Sequence, residues 1–157
     1  MTPEDIARKS IDAFNRHDKV AYAALVAPEA VVYDPVYSEP LRGKKAITED
    51  LDASFAAIPD VHYEILKLLT KDRDAVVEFR ITGTHTGSIQ GPSGPIPATN
   101  RKVTWTGAEF LQINSKGLVV EERRYFDAES HASNLDSQNS PILFSNCASR
   151  KLGMVSS

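Results

Sequence analysis

The sequence predicts an α+β fold on three observations. Segments with helical periodicity come first, long segments with a period of two follow, and short turns join the latter as antiparallel hairpins require. The chain has 157 residues, which suits one domain with a core large enough to hold a ligand pocket. A strongly curved antiparallel sheet can wrap around three N-terminal helices, giving a cone-shaped fold with a pocket inside it.

Thr2 is placed to cap the first helix, with Pro3 at its first position and Asp5 at the far end of a capping box. Ile6, Ala7, Ile11, Ala13 and Phe14 recur at helical spacing, which predicts a helix from Pro3 to about Arg16. Asp18 opens a second, short helix through Ala21, Tyr22, Leu25 and Val26, and Pro28 is expected to end it. Ala30-Val31-Val32-Tyr33 reads as a short strand stopping at Asp34-Pro35, and a loop runs on to Gly43. Lys44 to Ile58 is the third helix, with Ile47, Leu51, Phe55 and Ile58 on one face.

The period changes to two at Val61. Val61–Thr70 and Ala75–Thr86 read as strands joined by an Asp72-Arg73-Asp74 turn. A Pro-rich loop, Gly87 to Asn100, separates them from Lys102–Ile113 and Leu118–Phe126, whose turn ends on Gly117, a position suited to positive φ. Ser137 to Ser157 has no acid, carries +2 and leaves −5 on residues 1–136. We divide the chain into a folded body, 1–136, and a weakly structured C-terminal extension, 137–157.

Composition excludes several classes of function. The net charge of −3 argues against a nucleic-acid partner. No apolar run is long enough to span a membrane, and the acidic start Met1-Thr2-Pro3-Glu4-Asp5 is unlike a basic leader. The single cysteine, Cys147, can form neither an internal disulfide nor a thiolate metal site. The other histidines, His17, His62 and His131, do not converge at metal-ligand spacing, so no metal is expected. Gly-x-Ser-x-Gly, Walker and Gly-x-Gly-x-x-G motifs are absent from the sequence. The expectation is a soluble, cytoplasmic domain whose partner is a small hydrophobic molecule.

Several segments, in order, resemble the SnoaL-like polyketide cyclases, a branch of the ketosteroid isomerase and nuclear transport factor 2 superfamily. They are Asn15-Arg16-His17-Asp18, Ala27 to Pro35, Leu41 to Ile47, Gly83-Thr84-His85-Thr86-Gly87, Arg101-Lys102-Val103, and Lys116 to Glu121 leading to Tyr125-Phe126-Asp127. The resemblance runs from about Pro3 to Leu135 and departs from the family at the Gly87–Asn100 loop, after Asp127 and in the tail. It implies a homodimer paired through the sheet, a deep apolar pocket, and chemistry without metal or organic cofactor.

Candidate site residues follow from that resemblance and from the chemistry of each side chain. Asp127 is the first candidate: it stands where the cyclases keep an acid/base aspartate, and an apolar pocket would raise its basicity, the alternative being a cap for a helix starting at Ala128. Asp34 matches the proton-shuttling aspartate of ketosteroid isomerase, or is an ordinary Asp-Pro turn residue. Glu109 matches that enzyme's hydrogen-bond-donating acid, or is a strand residue facing solvent. The isomerase's helix-1 phenol falls at Ser10, which weakens a steroid-isomerase reading. His85 could polarise a carbonyl or simply bond to the following loop. Trp105 shares strand parity with Glu109 and is either core or substrate platform, and Tyr125 could line the pocket beside Asp127. In the Glu121-Glu122-Arg123-Arg124 block, half of the charges are expected to face solvent.

The function expected is a cofactor-free acid/base enzyme acting on a small hydrophobic carbonyl compound, with enolate chemistry such as the intramolecular aldol closure of a polyketide. Alternatives on the same fold are an isomerase, a dehydratase whose His-Asp pair would be His85 with Asp34, an epoxide hydrolase whose Asp-Arg-Asp set would use Asp127 with Arg101 or Arg124, and a non-catalytic binding domain.

Overall fold

Thr2 and Asp5 exchange hydrogen bonds at the chain's first turn: Thr2 N donates to Asp5 Oδ2 at 2.8 Å and Asp5 N to Thr2 Oγ1 at 3.1 Å. This capping box starts α1 (Pro3–Asn15). The computed structural model describes residues 1–128. The expectations for His131, Cys147 and the 137–157 extension lie outside the described residues, as does the proposed boundary at 136.

Asp18 caps α2 (Lys19–Ala24) by accepting from Ala21 N at 2.9 Å. The helix ends earlier than the sequence suggested. Leu25 is its C-cap, and the chain passes at once into β1 (Val26–Tyr33), so Pro28 lies inside a strand instead of ending a helix. The strand tolerates it because β1 pairs with its neighbour at Val26 and then only from Val31 onward. Pro28, with no N–H to give, falls in that irregular stretch. After β2 (Leu41–Arg42) comes α3 (Gly43–Ala57).

The remaining strands are β3 (His62–Lys71), β4 (Asp74–His85), β7 (Arg101–Ile113) and β8 (Val119–Tyr125). The Pro-rich segment between β4 and β7, expected as a plain loop, folds into a small hairpin of β5 (Ile89–Gly91) and β6 (Gly94–Ile96). Gly117 adopts φ +76° in the β7–β8 turn, where Asn114 Oδ1 accepts from both Lys116 N and Leu118 N.

The main sheet has six strands in the order β2-β1-β8-β7-β4-β3. It is mixed, where the sequence suggested antiparallel pairing throughout: β1 runs parallel to β8. The long connection between them, which runs through α3 and the other strands, lets the last strand return beside the first. α1 lays Ile6, Ala7 and Ile11 on Val77, Phe79 and Leu111 of the sheet, while Ile47 and Leu51 of α3 close on Val26 and Val32 of β1. The sheet's concave face and the helices thus enclose the core, and the observed class is α+β, with three helices among the described residues. No helix among the described residues is long and apolar enough to cross a membrane.

Candidate functional site

Strand parity decides which side chains reach the interior. In β4 and β7 the odd positions point inward, and the register Ile81↔Trp105, Phe79↔Gly107 and Val77↔Glu109 keeps them in step. In β8 the even positions are inward, because Glu109 pairs with Arg124 and Leu111 with Glu122. Gly107 leaves room for this crossing: a Cβ there would come within 2.5 Å of Tyr125 O and 2.7 Å of the Phe79 ring. Between sheet and helices lies a cavity of about 150 Å³, walled by aromatic and aliphatic side chains such as Phe14, Tyr63, Phe79, Trp105 and Phe126. That volume holds a guest of about one ring.

One end of the cavity is charged. Arg124 donates Nη1 to Asp34 Oδ2 and to Asp50 Oδ2, each at 3.0 Å, and Nε to Glu122 Oε1 at 2.5 Å. The three carboxylates and the guanidinium are all largely buried. Asp34 Oδ1 also accepts from Val36 N at 2.9 Å, Asp50 Oδ1 from Tyr37 OH at 2.7 Å, and Glu122 Oε2 from Tyr22 OH at 3.4 Å. Burial works against the Arg124 charge, but Glu122, Asp50 and Asp34 outweigh it and hold its pKa well above the usual range. Burial, then the Asp50 hydrogen bond, raises the Tyr37 phenol, and burial with Glu122 raises Tyr22.

Beside this cluster stands Glu109, 7% exposed. Burial and the Glu122 carboxylate push its carboxyl up to about 8, with partial relief from Arg124, so it carries its proton at neutral pH. Its neighbour Tyr63, on β3, is also 7% exposed, and its hydroxyl finds no hydrogen bond of normal geometry among the described residues. Burial and Glu109 together hold that phenol well above its usual pKa. A neutral carboxyl and a neutral phenol therefore adjoin one apolar space. Ser10, where the resemblance expects a phenol, lines the cavity too but spends its hydroxyl on Ala7 O at 2.9 Å.

The structure brings together three of the six residues singled out from the sequence. Asp34, Trp105 and Glu109 line the cavity. Tyr125 does not: it is the odd-numbered neighbour of Arg124, pairs with Ala108, and lies 54% exposed on the outer face, edge-on to Phe110. His85 is fully buried at the end of β4 and is not among the lining residues; its Nδ1 meets Thr99 Oγ1 at 3.1 Å. Burial holds its imidazole below the usual pKa. Asp127 is exposed and also outside the lining, one residue beyond Phe126, which does line it.

Sequence reasoning missed Asp50, Tyr37 and Tyr63, placed Glu122 only within a charge block, and named Arg124 in that block and beside Asp127 for a hydrolase set, where the structure pairs it with Asp34 and Asp50. The block divides as alternation requires. Glu121 and Arg123 pair at 2.6 Å on the outside, where Arg123 covers the Tyr33 ring at 4.3 Å, and Glu122 and Arg124 turn inward. The parity of Arg124 with Glu109 across the β7–β8 hairpin was the available signal.

A family model of SnoaL-like polyketide cyclases matches residues 4–134. No protein of curated function matches the sequence significantly. Among solved structures, the chain is similar to a SnoaL-like candidate polyketide cyclase from Jannaschia sp. CCS1, at 14% identity and TM-score 0.76, covering 87% of this chain and 93% of that one. It is similar to IdmH, a candidate polyketide cyclase from Streptomyces antibioticus, at 20% identity and TM-score 0.71, covering 86% and 99%. It is also similar to AclR, a candidate hydroxylase from Streptomyces galilaeus, at 20% identity and TM-score 0.67, covering 80% and 74%. At these identities the likeness concerns the fold.

Proposed function

Because this chain belongs to the SnoaL-like polyketide cyclase family, we propose that it is an acid/base enzyme acting, without a cofactor, on a small apolar carbonyl compound. The observation that carries this reading is the adjacency of protonated Glu109 and Tyr63 in an apolar cavity. Removing a proton next to a carbonyl places charge on the carbonyl oxygen. Two preorganised donors of matched environment stabilise that charge, and water exclusion strengthens them. Asp34, ion-paired to Arg124 within the same cavity, serves as the base that takes the carbon-bound proton. The enolate then attacks a second carbonyl, whose oxygen takes up a proton, or takes the proton back from Asp34 at another carbon. Asp127 keeps the base assignment for a substrate that extends past Phe126. The cavity volume favours a substrate with one ring inside it.

The test is proton exchange. Incubation of small cyclic ketones in deuterated buffer, followed by NMR, should show accelerated loss of the α-proton signal, abolished by Glu109→Gln. Exchange at the buffer rate across a ketone panel would remove the reading.

One specific observation favours a second reading. Asp34 and Asp50 flank Arg124 as a water-activating Asp-Arg-Asp set would, with Tyr37 holding Asp50. A hydrolase of apolar epoxides would convert them to diols and leave ketone α-protons untouched.

The homodimer is likewise part of the proposal. Leu69, Val76, Phe110 and Arg123 form one row across the outer face by register, and Leu69, Phe110 and Tyr125 are each about half exposed. Covering such a face with a second copy removes apolar surface from water.

A further inference from the structure

The charges in the cavity wall do not balance. Among the described residues, four acids, Asp34, Asp50, Glu109 and Glu122, line it against one base, Arg124, with no lysine or histidine in the lining. With Glu109 protonated, three carboxylates still face one guanidinium. Buried charge without a counter-charge is costly, and the aromatic wall cannot hydrate it. Burial first, and then the Glu122 carboxylate, raises the affinity of Glu109 for its proton. The Tyr63 hydroxyl, buried in the same wall, makes no hydrogen bond of normal geometry among the described residues and has the Glu109 carboxyl as its polar neighbour.

We propose that the cavity binds a small apolar cation, a protonated or quaternary amine, with its charge toward the Asp34, Asp50 and Glu122 carboxylates and its body against Trp105, Tyr63 and Phe79. Aromatic faces favour a cation over an isosteric neutral group by their quadrupole, and desolvation enlarges the effect. The same excess of negative charge rejects carboxylates, since Arg124 already gives Nη1 and Nε to protein acids. This inference concerns what the cavity holds and stands whether or not the cavity is catalytic.

The pH dependence follows from what surrounds Glu109 on β7. It faces Tyr63 on β3, Glu122 and Arg124 on β8, and Tyr22 on α2, with Asp50 on α3 and Asp34 after β1 completing the cluster. The two tyrosines remain neutral well past the usual range, so Glu109 is the group that changes charge near neutrality. Its ionisation adds a fourth negative charge and tightens the hold on a cation.

Three molecules of one shape test this: choline, the neutral 3,3-dimethylbutan-1-ol and the anionic 3,3-dimethylbutanoate. Trp105 is the only tryptophan and lies in the cavity wall, so its fluorescence reports occupancy. Choline should bind about tenfold or more tightly than the alcohol, a preference of about 1.4 kcal/mol, and the anion should not bind. Choline affinity should rise with pH through about 8 in the native protein and stay flat in Glu109→Gln. Equal or tighter binding of the alcohol, any binding of the anion comparable to choline, or binding of none of the three would overturn the proposal. Ketone exchange, measured separately, decides the acid/base reading.

Discussion

Arg124, in the last strand, meets Asp34, at the end of the first, at 3.0 Å in the buried wall of the cavity. The contact bridges ninety positions of sequence, and it ties together the two strands that run parallel. Replacing the arginine leaves three buried carboxylates without their counter-charge. Arg124→Met should lose about 3–5 kcal/mol of stability, because breaking a buried ion pair strands its partners. Urea unfolding would measure it. Part of the loss should be recovered at low pH, where the stranded carboxylates take up protons. Arg124→Lys should rescue poorly, since one ammonium cannot reproduce the Nε and Nη1 contacts.

Glu109→Gln separates chemistry from stability. Ketone α-proton exchange should fall by about a hundredfold or more, the scale of one lost oxyanion donor. Native activity should decline as pH rises through about 8, where Glu109 gives up its proton. Native stability falls with rising pH as well. The folded carboxyl titrates near 8 against a reference of 4.5, so between those values the native state binds more protons and the native protein loses stability as pH rises. In Glu109→Gln that slope disappears. Relative to the native protein, the variant should gain more than about 1.4 kcal/mol on going from pH 5 to pH 8, the worth of one pKa unit. An identical pH slope in both proteins would contradict the assignment.

Asp34 and Asp127 compete for the role of base, and paired substitutions distinguish them. For a ketone small enough to fit the cavity, Asp34→Asn should reduce exchange by about a hundredfold, at the low end of general-base effects. Asp127→Asn, altering an exposed residue outside the lining, should change it by less than about fivefold and leave stability within about 0.5 kcal/mol. A dominant effect of Asp127 would transfer the base to the position the family resemblance favours.

Gly107→Ala probes the strand crossing above the cavity. Its new methyl would come within 2.5 Å of a backbone oxygen, Tyr125 O, which cannot rotate away. A loss of about 1–3 kcal/mol is expected, as for other overpacked sites. Thermal unfolding checks it.

The outer face gives a test of assembly. Phe110→Lys puts a charge beside Val76 in the Leu69–Val76–Phe110 row. Sedimentation should show native dimers and variant monomers. Because Phe110 points away from the cavity, ketone exchange per chain should persist unless the dimer itself shapes the site.

Much of the fold was legible because short-range rules were obeyed. The Thr2–Asp5 box, the Asp18 cap and the Gly117 turn each fix a boundary through a local hydrogen bond or a backbone angle. Pro28 misled because its usual role as a helix stop was overridden by pairing made elsewhere: β1 follows α2 at once and skips register around the proline. The parallel β1–β8 pair was not readable, since nothing local to either strand names its neighbour. In the site, parity linked Trp105 to Glu109 but could not say which face was inward; the same alternation, carried across the hairpin, would have brought in Arg124 and Glu122 and sent Tyr125 outside. Asp50 and Tyr37 come from a helix and a loop, and only packing brings them to Arg124.

The strand order also sets a schedule for synthesis. β1 sits between β2 and β8, and β8 is the last strand made. While the ribosome is still translating, the first strand has one short partner, a two-residue bridge to β2, and no place in the main sheet. The hairpins of β3, β4 and β7 can form in sequence and receive α1, but β1 can join the main sheet only once β8 has emerged. Such late, long-range closure is slow and exposes strand edges in the interval. A chain stopped just short of β8 should therefore be the species that chaperones hold, and completion of that one strand should release it.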